Sequence, residues 1–206
     1  MSRYVITGLG LICAAGNDVP TCWDNIRKGV SGIREVESVS TEGCVSHVGA
    51  EVHCDTLPAP QYDRSVRLCL KAAQEAVQDS KLPQSDLHDA GVVLGSCVGG
   101  AASIDHYYSG LLRGEEHKAD ILKMSASSIA CDVAHELGAS GETANIVNAC
   151  AAGTMSVAYA CDLIRAGKGK VYLAGGTDAF SSLAYSGFNA LHALSAEACS
   201  PLNHSN

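Results

Sequence analysis

Short apolar runs separated by amphipathic stretches dominate the chain. Tyr4 to Thr7 is β-branched and apolar and is broken by Gly8, and Gly91 to Gly95 has the same form. Ala144 to Val147 and Val171 to Ala174 repeat the pattern, each leading into small residues. Runs that are apolar at successive positions suit strands covered on both faces, so the pattern predicts a buried strand at each. Between them, apolar positions recur with the helical period over Pro20 to Lys28, Ser65 to Asp79, Ser127 to Leu137 and Ala152 to Ala166. Gly29, Gly138 and Gly167 follow helices as C-terminal caps. Strands alternating with helices predict an α/β fold with a largely parallel sheet and helical crossovers. Ser31 to Pro60 is polar and irregular, which predicts an excursion over the surface. The chain has no repeat of fixed period and no low-complexity segment.

Composition narrows this picture. A chain of 206 residues, 47% hydrophobic and 17% charged, can bury a substantial core. Aromatic content is only 5% beside abundant Gly and Ala, which favours close backbone packing over a bulky aromatic core. The formal net charge of −8 opposes nucleic-acid binding, and no Lys/Arg cluster offers a local exception. No stretch approaches the length of a membrane span, and the start is too brief for a signal-peptide core. A soluble cytoplasmic protein is expected. Ten cysteines without a secretion signal read as reduced thiols. Cys13, Cys69, Cys97, Cys131 and Cys161 lie among apolar or small residues and are expected to pack as small hydrophobes.

Several motifs fall short of the chemistry they suggest. Gly8-Leu9-Gly10 after a strand invites a dinucleotide fingerprint, but the position that needs a third glycine or alanine is Cys13. Cys44, His47, His53 and Cys54 offer zinc-type ligands, yet no Cys-x-x-Cys pair occurs. Adjacent His53 and Cys54 would also point to opposite sides of an extended segment. A solvated loop, no metal and no cofactor are therefore expected. Glu115 and Glu116 read as a solvated face, and neither a Gly-x-Ser-x-Gly elbow nor a Walker phosphate loop is present.

The segment Ala144 to Gly153 carries more. It reads Ala-Asn-Ile-Val-Asn-Ala-Cys-Ala-Ala-Gly, a buried strand running into Cys150 and then into the small-residue opening of a long helix. A thiol at a helix N-terminus faces unsatisfied N–H groups and the positive end of the helix dipole, which favour the thiolate. The thiolate is the species that attacks carbonyls. Ala149, Ala151, Ala152 and Gly153 would let an acyl thioester approach the backbone, where the Cys150 amide could face a developing oxyanion. A cysteine that opens a buried helix is also ordinary packing. The residues alone leave both readings open.

From Asn148 to Ser195 the chain closely resembles the active-site region of the ketosynthase family, the β-ketoacyl-acyl carrier protein synthases of the thiolase superfamily. The resemblance rests on the nucleophile turn, the Leu-Ile-Arg-Ala-Gly helix end, the Ala-Gly-Gly-Thr-Asp strand end and Phe-Asn-Ala-Leu-His-Ala-Leu-Ser. Weaker agreement at Val-Ile-Thr-Gly-Leu-Gly and at Gly95 to Gly100 extends it over residues 1–206. It implies a layered, thiolase-type α/β fold, of which this chain is the N-terminal half. It also implies transfer of an acyl group from acyl carrier protein to Cys150. Decarboxylation of malonyl-carrier protein then gives a carbanion that attacks the thioester. By similarity Phe188 is a gating phenylalanine beside the cysteine, Val98 lines the acyl pocket, and Met124 reaches a partner subunit's pocket. Core packing is the plainer reading of all three.

The family is about twice this length and completes its site with two histidines, a lysine and a second oxyanion-hole amide from its C-terminal half. None of those motifs is in this chain, so His192 and His204 are given no catalytic role. The resemblance implies a homodimer, a carrier-protein partner and the missing C-terminal half, with the isolated chain inactive in condensation. A stand-alone synthase is expected, because Met1 stands directly before the first strand. Two other classes stay open: a non-catalytic chain-length-factor partner, against which Cys150 speaks, and a thiolase acting on coenzyme A thioesters, whose cysteine lies in a different setting.

Overall fold

The computed structural model describes residues 3–196; Ser200-Pro201, His204 and Asn206 lie outside the described residues. A three-stranded parallel sheet occupies the middle, built from β3 (Gly91–Gly95), β4 (Thr143–Ile146) and β5 (Tyr172–Gly176) in the order β4-β3-β5. Val93 lies opposite Ala144 on one side and opposite Ala174 on the other. Two short strands, β1 (Arg34–Glu35) and β2 (Val48–Gly49), pair antiparallel within the surface excursion that the polar stretch predicts.

The helices are α1 (Val19–Arg27), α2 (Arg64–Ser80), α3 (Gln84–His88), α4 (Ala101–Arg113), α5 (Ile129–Leu137), α6 (Ala152–Arg165) and α7 (Ser182–Ala190). Alternation along β3 assigns the layers. Val92 and Leu94 pack with Val66, Cys69 and Ala73 of α2 and with Ile129, Ala130, Val133 and Ala134 of α5. Val93 points the other way, against Ala160 and Leu163 of α6. The sheet is thus covered on both faces, which is why all of β3 is buried. The helix boundaries follow the apolar period closely, and Gly29, Gly138 and Gly167 all take left-handed φ at or just past helix ends.

Tyr4 to Thr7 corrects the expectation of a buried strand. The segment pairs with no strand, and Val5 and Ile6 are 75% and 79% exposed. Its neighbour is a helix. The Leu9 and Leu11 N–H groups donate to Asp79 and Glu75 on α2, at 2.9 Å each, in place of a ladder partner. Gly8 and Gly10 press onto the α2 backbone, where a Cβ would come within 2.1 Å and 1.7 Å of the Ala76 and Ala72 oxygens. Between this segment and the outer edge of β5 lies a cavity of about 780 Å³. The remaining three strands form, but only β3 is buried as expected: β4 and β5 are the two edges of the sheet and are partly exposed.

Among the described residues no helix is long and apolar enough to cross a membrane.

Candidate active site

The three parallel strands end at one edge of the sheet, and the loops that leave those ends converge. In open α/β sheets this carboxyl edge is where ligands bind. β3 leads into Ser96, Cys97 and Val98; β4 leads into Cys150; β5 leads into Thr177 and Asp178. Backbone bonds tie the exits together. Ser96 N–H donates to the Ile146 carbonyl at 3.1 Å, and Thr177 N–H donates to the Gly95 carbonyl at 2.9 Å.

Cys150 sits in a single 3₁₀ turn, Ala149–Ala151, that runs directly into α6. Ala149 adopts φ +39°, a left-handed conformation that costs an alanine about 1 kcal/mol. The sharp turn lets the chain reverse from β4 into α6 with the thiol at the helix start, and Cys150 is exposed there. The helix start packs closely on two glycines at the strand ends. At Gly95 a Cβ would lie 2.3 Å from the Ala152 backbone, and at Gly176 it would lie 2.9 Å from Gly153 Cα. Gly95 and Gly176 thus let the N-terminus of α6 seat on the ends of β3 and β5.

Hydrogen bonds join residues far apart in sequence to hold the loops around this point. Asp178 Oδ1 accepts from Ser96 Oγ, Cys97 N–H and Val98 N–H at 2.7, 3.0 and 3.1 Å, so the end of β5 fixes the loop after β3. Asp63, only 3% exposed, accepts from Ser65 N–H at the start of α2 and from Ser103 N–H and Oγ at the start of α4. One carboxylate therefore caps two helices. Ser65 Oγ in turn donates to the Gly99 carbonyl at 2.8 Å. Asp105 on α4 accepts from Ser182 and Leu183 N–H, capping α7, which carries Phe188. Sequence reading found Ala-Gly-Gly-Thr-Asp as a strand end but not the role of Asp178, and it missed Asp63, because nothing local marks partners 40 or 80 residues away.

The candidate pocket residues separate into a pair and an outlier. Val98 is partly buried beside Gly99 and Gly100, and Gly100 packs against Lys123 and Met124 closely enough that a Cβ would meet the Lys123 carbonyl oxygen at 2.0 Å. Val98 and Met124 thus belong to neighbouring segments. Phe188 stands on α7, 48% exposed. The 780 Å³ cavity is lined by none of Cys150, Val98, Met124 and Phe188.

The thiols divide by exposure. Cys69 is buried in the core, and desolvation pushes its thiol up to about 12; desolvation, with the neighbouring Cys13 sulfur 3.5 Å away, pushes Cys22 up to about 11. Cys97 and Cys131 are exposed, which corrects the expectation that they pack in the core: Cys97 lies in the loop after β3, and Cys131 is on the outward side of α5. Of the cysteines that sequence alone placed in the interior, only Cys69 is fully buried. His47 pairs with Thr41, and Cys54 with Thr56, within the surface excursion.

Comparison with known proteins agrees with this architecture. Residues 1–205 match the family described as beta-ketoacyl synthase, N-terminal domain. The chain is 34% identical to 3-oxoacyl-[acyl-carrier-protein] synthase 2 of Staphylococcus aureus (strain N315), over 94% of this chain and 50% of that protein. A solved ishigamide ketosynthase/chain length factor superposes with a TM-score of 0.85 at 29% identity, covering 93% of this chain and 51% of that one. A ketosynthase in complex with its type II PKS acyl-carrier protein superposes at 0.80 and 30% identity, covering 96% and 50%. The chain spans about half the length of the curated relatives it matches.

Proposed function

Because this chain belongs to the beta-ketoacyl synthase N-terminal domain family, we propose that it is the nucleophile-bearing half of a 3-oxoacyl-acyl carrier protein synthase, of the fatty-acid or polyketide type. The observation that carries this is the position of Cys150, exposed on a strained turn at the carboxyl edge of a parallel sheet and at the start of α6. The thiolate attacks an acyl-carrier thioester, the carrier leaves as a thiol, and the acyl group is held on Cys150. Malonyl-carrier protein then loses carbon dioxide, and its carbanion attacks the Cys150 thioester. The product is a 3-oxoacyl-carrier protein, and the Cys150 thiolate is released. Residues of the second half of the enzyme supply the donors that stabilise the enolate.

Val98 and Met124 line the acyl channel in this reading, and Phe188 gates it. Acyl carrier protein is the partner, as it is for the ketosynthase of known structure. The open edge of β4, with Val147 exposed beyond it, supports a homodimer in which two such edges pair across a two-fold axis. The thiols of the described residues are all free, which suits the reducing cytoplasm. Cys150 speaks against a chain-length-factor role, since those partners lack the nucleophile.

The test is Cys150→Ala in the full-length enzyme. Loss of both acyl loading and condensation, with the elution volume and melting temperature unchanged, is expected. Retained condensation would overturn the reading.

A further inference from the structure

On the far side of α4 a second set of side chains converges, with no part in the scheme above. His106 and Gly110 lie one turn apart on the same face of α4. After the helix ends at Gly114, the chain doubles back and lays the His117 ring over Gly110, where a Cβ would meet His117 Cδ2 at 2.1 Å. Only glycine leaves room for the ring there. The His106 and His117 rings then lie 4.3 Å apart, inclined at 47°. Asp120 comes from the 3₁₀ helix Lys118–Lys123, is 8% exposed, and brings Oδ2 to 2.6 Å from His106 Nδ1. Its Oδ1 is 3.2 Å from Lys123 Nζ. Glu115 Oε2 stands 3.0 Å from His117 Nε2, so a second carboxylate borders the group.

One ligand atom from each of His106, His117 and Asp120 lies within 4.8 Å of the other two. We propose that these three residues form a Zn²⁺ site that staples α4 to the segment leading to Met124. Two imidazoles and one carboxylate are the borderline donor set that zinc takes and that calcium and magnesium, which require oxygen ligands, do not. Tetrahedral ligands about 2.1 Å from the ion stand about 3.4 Å apart, so the group closes by rotation of the exposed His106 side chain. Asp120 is held in place by burial, and the ion displaces Lys123 from it. The fourth position is left to water. Because Lys123 and Met124 pack against Gly100, next to Val98, the staple fixes that side of the candidate site. Zinc binding itself does not depend on the proposed enzymatic reading.

The experiment is a Zn²⁺ titration of the chain against a chromophoric chelator, after the accessible thiols have been capped with N-ethylmaleimide so that cysteine cannot compete. One equivalent binding with micromolar or tighter affinity is expected. Co²⁺ should give the visible bands of a tetrahedral ion without the near-ultraviolet thiolate charge-transfer band. His106→Gln, at an exposed side chain, and Asp120→Asn should each weaken binding about tenfold or more, with the melting temperature of the metal-free chain as the control for folding. Gly110→Ala, which displaces the His117 ring without removing a ligand, should weaken it as well. No stoichiometric uptake by the capped chain, or affinity unchanged in His106→Gln and Asp120→Asn, would overturn the proposal.

Discussion

Mixed with acyl-carrier protein and malonyl-carrier protein, the isolated 206-residue chain is expected to yield no 3-oxoacyl product. Decarboxylation builds negative charge on an enolate, and that charge needs positioned donors and a general acid–base group. Next to Cys150 in sequence, the Asn148 side chain is directed to Met155. The histidine and lysine motifs that the family places in its C-terminal half are not in this chain. Groups that act as a unit lose nearly all their effect when one is removed, so the absence of several abolishes turnover rather than weakening it. Mass spectrometry of the carrier proteins reads the result. Turnover that disappears in Cys150→Ala would show that the chain holds a complete site.

The largest effect on stability is expected at Asp63. Asp63→Ala removes one buried carboxylate that caps both α2 and α4, leaving the Ser65 and Ser103 N–H groups without their acceptor. Each lost cap costs about 1–2 kcal/mol, and a buried orphaned donor costs a similar amount, so a total of about 3–4 kcal/mol is expected. A urea titration followed by helical circular dichroism should show the midpoint fall accordingly. Asp63→Asn, which keeps one acceptor oxygen, should lose clearly less. A change below about 1 kcal/mol for Asp63→Ala would mean that the two helices are held by packing alone. The same substitution should loosen the Val98 loop, because Ser65 links Asp63 to Gly99 and α4 begins just beyond it.

What the sequence reveals depends on whether the cause is local. Gly91–Gly95 is legible because five residues buried on both faces leave a run with no polar position. Tyr4 to Thr7 is similarly apolar but joins no strand among the described residues, since ladder partners are not written into a run; the chain just past it is tied to α2 instead, through the Leu9 and Leu11 N–H groups to Asp79 and Glu75. The ends of α1, α5 and α6 are legible because left-handed φ selects Gly29, Gly138 and Gly167. Helices α4 and α7 escape the periodic pattern: α4 mixes His106, Tyr107 and Tyr108 with Gly110, and its stability comes from Asp63 at one end and Gly114 at the other.

The candidate site divides in the same way. The strand–turn–helix around Cys150 is contiguous and could be read directly, whereas Asp178 acts on Val98 across a separation of 80 residues. The small residues after Cys150 suggested room for an acyl group, whereas the close approach of α6 to the sheet falls on the strand ends, where Gly95 and Gly176 leave no space for a Cβ. Cys97 and Cys131 illustrate the limit of composition, because apolar neighbours in sequence do not place a thiol in the interior.

Their exposure also sets the terms of the most direct test of the central claim, that Cys150 is the acyl acceptor. The chain is incubated with an acyl-carrier protein, quenched, digested and mapped for acyl thioesters by mass spectrometry. Cys97, Cys131 and Cys150 are all exposed, so accessibility alone would distribute the label among them. The nucleophile of the proposed reaction should collect it alone. The acyl group is expected on the peptide that contains Cys150, and is expected to be absent after Cys150→Ala. Acylation of Cys97 or Cys131 at an equal or greater rate, with Cys150 unmodified, would contradict it.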